Sequence, residues 1–279
     1  MIPLNELHPF PGHPFRVMMD ADMDKLVESV RENGVLVPGI VRPRRQGGYD
    51  IISGHRRREA SRLAGKPTMP AVVRDDLDDD AATIAMIEVN LKQREKLLPS
   101  ERAKAYRMMR DALVKQTEGN GDAKSGKAKE KIARHFGESA SRVMRTIRLT
   151  YLNQPLLDMV DSGKMKLGLG IQISYLNTEV QCWIFDHHAD SGLWPTTAQV
   201  KALRTLYEQG DLTQEAFAEI MAQVPPEIEK PMAQTTQEDD FLLSIRDNHF
   251  PKMNLDEVKA VILEMVDLYV YRQQRELME

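Results

Sequence analysis

I-I-S-G-H-R-R-R-E-A-S-R-L, residues Ile51 to Leu63, joins the end of an apolar strand to a helix that opens with three arginines. Tyr49, Ile51 and Ile52 have the strand pattern. Ser53-Gly54 makes the corner, and Arg56, Arg57 and Arg58 fall in the first turn of the helix. Glycine lets the backbone turn where a Cβ would obstruct, and the first amides of a helix have no intrahelical partner. The helix dipole and guanidinium forks therefore favour the same occupant, an anion such as a phosphate. A basic surface helix with solvated arginines is the competing reading of this stretch alone.

Around this corner the first ninety-odd residues read as a small α+β unit. Met23, Leu26, Val27 and Val30 recur at helical spacing, with Asp20 or Asp22 as N-cap and Gly34 beyond the C-terminus. Val35 to Val41 reads as a strand interrupted by Pro38-Gly39, Gly47-Gly48 as a hairpin turn, and Tyr49 to Ser53 as the returning strand. A strand from Met69 to Val73 and a helix from about Ala81 to Leu91 complete the unit. Beyond Leu98 the pattern is helical. The exception is Thr117 to Lys129, T-E-G-N-G-D-A-K-S-G-K-A-K, which reads as a mobile low-complexity loop. Its Gly121, Gly126 and Lys127 imitate a P-loop, but Ala128 replaces the magnesium-binding hydroxyl and no apolar strand precedes the glycines.

The 279-residue chain carries a net charge of −4, which disfavours nucleic-acid binding by the whole surface. The charge is uneven. Arg42 to Lys66 holds eight Lys or Arg against Asp50 and Glu59, Lys124 to Arg148 holds eight against Glu130 and Glu138, and Asp75 to Asp80 is acidic. Two basic segments in an acidic chain indicate two specific anion sites. No apolar run has membrane-spanning length and the N-terminus lacks signal-peptide character, so a cytoplasmic protein is expected. The single cysteine, Cys182, is expected to be buried beside Trp183 and excludes a multi-cysteine zinc site. Asp186-His187-His188 lacks the second ligand cluster that a metal phosphoesterase needs.

The second basic segment, K-E-K-I-A-R-H-F-G-E-S-A-S-R-V-M-R-T-I-R-L from Lys129 to Leu149, has helix-turn-helix grammar. Ile132, Ala133 and Phe136 give the first helix an apolar face. Gly137 turns, Ser139 caps, and Val143 and Ile147 face inward. Ser139, Ala140, Ser141, Arg142, Arg145 and Arg148 are the candidate DNA contacts, because small polar residues and arginines can approach base edges and phosphates. Two packed helices with a basic outer face are the alternative.

G-V-L-V-P (Gly34 to Pro38), G-H-R-R-R-E-A (Gly54 to Ala60), N-L-K-Q-R-E (Asn90 to Glu95) and this helix-turn-helix, in that order, resemble the ParB partition protein family over at least Ile2 to Leu176. The spelling is similar to the branch found on plasmids and integrative conjugative elements. The resemblance implies a ParB/sulfiredoxin-like α+β domain over residues 1–96 and an all-α DNA-binding domain over 97–178, with its helix-turn-helix at about 129–149. A helical region of unknown role over 179–232 follows, and then a linker and a C-terminal helix over 233–279 that either docks on the body or dimerises.

The family implies a CTP switch on double-stranded DNA: a homodimer that closes as a sliding clamp at a palindromic centromere-like site and works with a ParA-type ATPase, associated with nucleoid or plasmid. Carried over, Gly34, Val35, Leu36 and Pro38 face the cytosine, Ser53, Gly54, His55, Arg56 and Arg57 hold phosphates, and Asn90, Gln93 and Arg94 complete the site. Three departures stand out. His55 replaces a usual Glu, Arg58-Glu59 replace an aromatic-Arg pair, and Val89 replaces a Glu that helps bind magnesium, leaving Glu88 as the nearest carboxylate. They imply nucleotide binding ahead of efficient hydrolysis, with at most a weak CTPase. A repressor or nucleoid-occlusion factor is the main alternative. A nucleotide-dependent enzyme also stays open, while sulfiredoxin chemistry is ruled against by the absence of its cysteine between Gly54 and His55.

Overall fold

The computed structural model describes residues 1–93, 97–116, 121–223, 257, 258 and 261. Backbone contacts divide the chain into Met1–Ala222 and Gln223–Glu279, and the architecture below is that of the first unit. The linker and C-terminal helix expected over 233–279 lie outside the described residues but for 257, 258 and 261.

The N-terminal part contains β1 (Ile2–Pro3), β2 (Leu7–Pro9), α1 (Ala21–Asn33), β3 (Gly39–Pro43), β4 (Tyr49–Ser53), α2 (His55–Leu63), β5 (Thr68–Met69), β6 (Ala71–Val73) and α3 (Asp79–Gln93). A four-stranded mixed sheet runs in the order β2-β4-β3-β6. The β3–β4 hairpin is antiparallel, with Val41 opposite Ile51, and parallel partners β2 and β6 flank it. Antiparallel β1 and β5 make a separate small pair.

α1 starts where Asp20 accepts from the Met23 amide and stops at Gly34, whose φ of 71° suits a residue without Cβ. The strand expected from Val35 begins only at Gly39, because Val35 to Pro38 crosses the surface, with Leu36 and Val37 exposed. The strand expected from Met69 to Val73 is divided at Pro70. Proline cannot donate to a ladder, and β5 and β6 belong to different sheets.

The helical part comprises α4 (Pro99–Gln116), α5 (Gly121–Phe136), α6 (Ala140–Arg148), α7 (Gln154–Asp161), α8 (Leu167–Ile173), α9 (Thr178–Ser191), α10 (Thr197–Gln209) and α11 (Gln214–Ala222), with a 3-10 turn at Leu149–Tyr151. The expected loop is overturned from Gly121 onward, where the backbone is helical; residues 117–120 lie outside the described part. The glycines disfavour helix by about 1 kcal/mol each. Buried Ala128, Ile132 and Ala133 on the same helix outweigh that by docking on the core.

One core runs from Ile52 of β4 through Met86 and Ile87 of α3, Tyr106 and Met109 of α4 and Ile132 of α5 to Val143 and Ile147 of α6. A second gathers Leu149, Leu156, Leu157, Ile173, Val180, Ile184, Val200 and Leu203. α4 contributes to both, since Ala103 joins the second. The expectation of a buried cysteine is also corrected: Cys182 is exposed on α9, where Gln181 and Ile184 occupy the inward positions. Among the described residues no helix is long and apolar enough to cross a membrane.

Candidate functional site

The corner after β4 is built by close backbone approach. Gly54 has φ 114°, and a Cβ there would stand 3.2 Å from the Gly39 Cα. Gly39 is equally confined, since its own Cβ would come 3.1 Å from the Ser53 carbonyl oxygen. Both glycines are thus required by the crossing of β3 and β4. Gly54→Ala is expected to disturb the corner rather than the core, costing roughly 1–2 kcal/mol for the left-handed backbone and weakening anion binding. Chemical denaturation and nucleotide titration of that variant check the two effects separately.

Arg57 fastens the corner to the loop after α1. Its guanidinium donates to the carbonyl oxygens of Val37 at 2.7 Å and Pro38 at 2.6 Å and to the Ser53 Oγ at 3.2 Å. Burial lowers its pKa from the ordinary value, yet a guanidinium remains a cation at neutral pH. Arg56 takes the other direction and donates at 3.0 Å to Asp20, the residue that caps α1. Arg58 reaches the Leu4 carbonyl at 3.5 Å. Of the three arginines, Arg57 alone joins Ser53 to the Val37-Pro38 backbone.

The remaining predicted site residues are placed as follows. Gly34 caps α1, Val35 is half-buried against Met23 and Val41 neighbourhoods, and Leu36 and Pro38 are exposed. His55 packs on His13 with ring centroids 3.7 Å apart and planes tilted by 36°, a partner from the segment after β2 that sequence reasoning missed. Asn90 donates to the Met86 carbonyl at 2.7 Å one turn back along α3. Gln93 ends α3, and Arg94 lies outside the described residues. Glu88 stands 3.5 Å from His135 of α5, an ion pair when the imidazole is protonated.

The corner fits a phosphate: a glycine-permitted turn, a helix start and the Arg57 guanidinium meet there. Magnesium fits less completely. Among the described residues no group of three His, Cys, Asp or Glu could hold a metal, so an ion ligated by Glu88 would draw its other ligands from phosphates and water.

The second basic segment forms the expected pair of helices. Ser139 Oγ accepts from the Arg142 amide at 3.1 Å and caps α6, whose Val143 and Ile147 are buried. Ser139, Ser141, Arg142 and Arg145 are exposed and Ala140 is half-buried. Glu138 fixes the turn. It accepts from Arg102 at 3.1 Å and from the Tyr106 hydroxyl, whose pKa is pushed up to about 12 by burial and then by Glu138. Arg142 also lies 3.7 Å from Glu138. Arg148 is held differently: it donates to the Ser174 carbonyl at 2.6 Å and lies over the Tyr151 and Tyr175 rings. Ser139→Ala is expected to cost about 1 kcal/mol through loss of the cap, read as a lower urea midpoint with unchanged slope.

Residues 1–90 match the model of the ParB N-terminal domain. The chromosome-partitioning protein Spo0J of Thermus thermophilus is 33% identical over 204 residues, covering 73% of this chain and 69% of that protein. This chain belongs to the ParB family. Stage 0 sporulation protein J of Bacillus subtilis is 35% identical over 169 residues, 61% of this chain and 55% of that protein. The ParB-family chain described here therefore spans little more than half the length of that relative. Among solved structures, the C-terminally truncated chromosome-partitioning protein ParB of Caulobacter crescentus, complexed with CTP-gamma-S, is 33% identical. It covers 63% of this chain and 91% of its own, with a TM-score of 0.31.

Proposed function

We propose that this ParB-family chain is a DNA-partition protein that binds a palindromic centromere-like duplex through α6 and uses CTP to switch between site binding and a closed clamp. The observation that carries the reading is the union of two basic faces by one core. The Arg57 corner sits on the β4–α2 junction, α6 carries exposed Arg142 and Arg145, and buried side chains from Ile52 to Ile147 run between the two elements. A continuous packed body is a physical route by which occupancy of one face can bias the other. The Glu88–His135 contact adds a polar link between α3 and α5.

In this reading the Gly34 to Pro38 backbone faces the base, and Ser53, Gly54, Arg56 and Arg57 hold phosphates. CTP with magnesium would present its phosphates to Arg57 and to the start of α2. Asn90 lies on α3, the helix whose Met86 and Ile87 pack with Ile52 of β4. The Arg57 guanidinium already spans the two walls of the corner, so a phosphate between them competes for its donors. A homodimer, a ParA-type ATPase and association with nucleoid or plasmid DNA belong to the same proposal. The test is equilibrium binding of CTP and ATP with magnesium, with and without duplex. Selective CTP binding that duplex changes by the same factor as CTP changes duplex binding supports a coupled switch. Absence of binding by either nucleotide contradicts it.

A further inference from the structure

Next to α6 the structure contains an alternating ladder of arginines and tyrosines drawn from four elements and the turn after α8. Arg107 of α4 lies 5.2 Å from the Tyr151 ring centroid, and Arg148, the last residue of α6, lies 4.4 Å from that ring. Arg148 also lies 4.1 Å from the Tyr175 ring, against which Arg204 of α10 stands at 4.3 Å. Tyr151 and Tyr175 are 47% and 38% exposed. Such stacks fix guanidinium planes while leaving their edges able to donate.

Charge is distributed unevenly along this ladder. Arg107 has Asp111 at 4.0 Å and Arg204 has Glu208 at 2.7 Å, both partly exposed partners one helical turn away. Arg148 is bound by a carbonyl, not a carboxylate. Because Arg148 follows Arg145 by three positions, the ladder continues the exposed face of α6 across α8 to α10.

We propose that the ladder is a phosphate-binding strip that grips the backbone of duplex DNA beside the bases reached by α6, with Arg107 and Arg204 as its outer contacts. The proposal rests on the DNA-binding reading of α6. Arg148 is the positioning residue, held between the two rings, and the strip adds affinity without base preference. Glu208 gives up the Arg204 guanidinium to phosphate, whereas Arg107, which donates to Thr150 at 3.2 Å while Arg110 holds Asp111 at 2.7 Å, turns only its remaining donors outward.

The test uses the full chain, a mixed-sequence duplex and the duplex that the wild type selects from a randomised library. Arg204→Ala and Arg107→Ala are each expected to lower the slope of log affinity against log salt by about 0.9 and to weaken both duplexes alike. Both side chains are half-buried on tyrosine rings, so melting temperatures fall by about 1–4 °C. Glu208→Gln, which frees Arg204, strengthens binding at low salt by roughly 1.5- to 5-fold. Wild-type affinity and salt slope in both arginine variants overturn the proposal, as does a loss that follows melting temperature with the slope unchanged. Loss of binding in Arg142→Ala alone leaves the α6 reading standing and the strip refuted, whereas a wild type that binds neither duplex refutes both.

Discussion

Arg57→Ala is expected to weaken CTP binding by roughly 30- to 5000-fold, the range for removing one partner of a desolvated charged hydrogen bond. Three donations leave with the side chain: those to the Val37 and Pro38 carbonyls and to Ser53 Oγ. Val37 and Pro38 are exposed, so water replaces the lost partner at both carbonyls, whereas the buried Ser53 hydroxyl loses its partner and stability falls by about 1–3 kcal/mol. Binding to a mixed-sequence duplex stays at the wild-type level because the variant leaves α6 untouched. Arg57→Lys retains charge but cannot bridge both walls, and falls between the two. Calorimetric titration decides the matter, and CTP affinity within threefold of wild type in Arg57→Ala removes this residue from the site.

The second large effect is on the fold beneath the DNA face. Ile147 is 1% exposed and lies in the core that reaches Ile132, Tyr106 and Met86. Truncating a buried isoleucine to alanine costs about 2–5 kcal/mol, the lost burial plus the cavity left behind. Ile147→Ala is therefore expected to lower the urea midpoint sharply and to abolish duplex binding at temperatures where the wild type is folded. Because the same core includes Ile52 at the end of β4, CTP binding falls with it. A variant that retains wild-type stability while losing DNA binding alone places Ile147 outside the core.

Residues that satisfy local rules were the legible ones. The Met23 to Val30 spacing, the Tyr49 to Ser53 strand and the Gly137-Glu138-Ser139 turn each declare themselves within a few positions, and each element lies where the sequence predicts. The Ser53-Gly54 corner was legible for the same reason, since its need for glycine arises from neighbouring strands. β1 and β2 were not: at two and three residues they have no periodicity, and their pairing with Met69 and Tyr49 is set by distant chain. α5 was misread because the preference of Gly121 and Gly126 for turns is local, whereas the packing of Ala128 and Ile132 is not.

Within the candidate site, the motifs name the residues but not their partners. Nothing near Arg57 in sequence indicates the Val37 and Pro38 carbonyls, and nothing near Arg148 indicates Ser174 or Tyr175. His13 against His55 and Asp20 against Arg56 are likewise long-range contacts, 42 and 36 positions apart respectively. Charge counting located the two basic segments because their density is a local property. The Arg-Tyr ladder escaped it, for its five members are scattered from Arg107 to Arg204.

The central claim is that the arginine corner governs how the protein holds DNA. Its most direct test is to load the full chain with CTP and magnesium onto a duplex carrying the selected site, with both ends blocked, and then to cut one end. The account predicts that CTP moves the protein off the site while keeping it on the blocked duplex, that cutting releases it, and that Arg57→Ala shows neither behaviour. Occupancy confined to the site, unchanged by CTP and indifferent to the cut, contradicts the account and leaves a site-specific DNA-binding protein without a nucleotide switch.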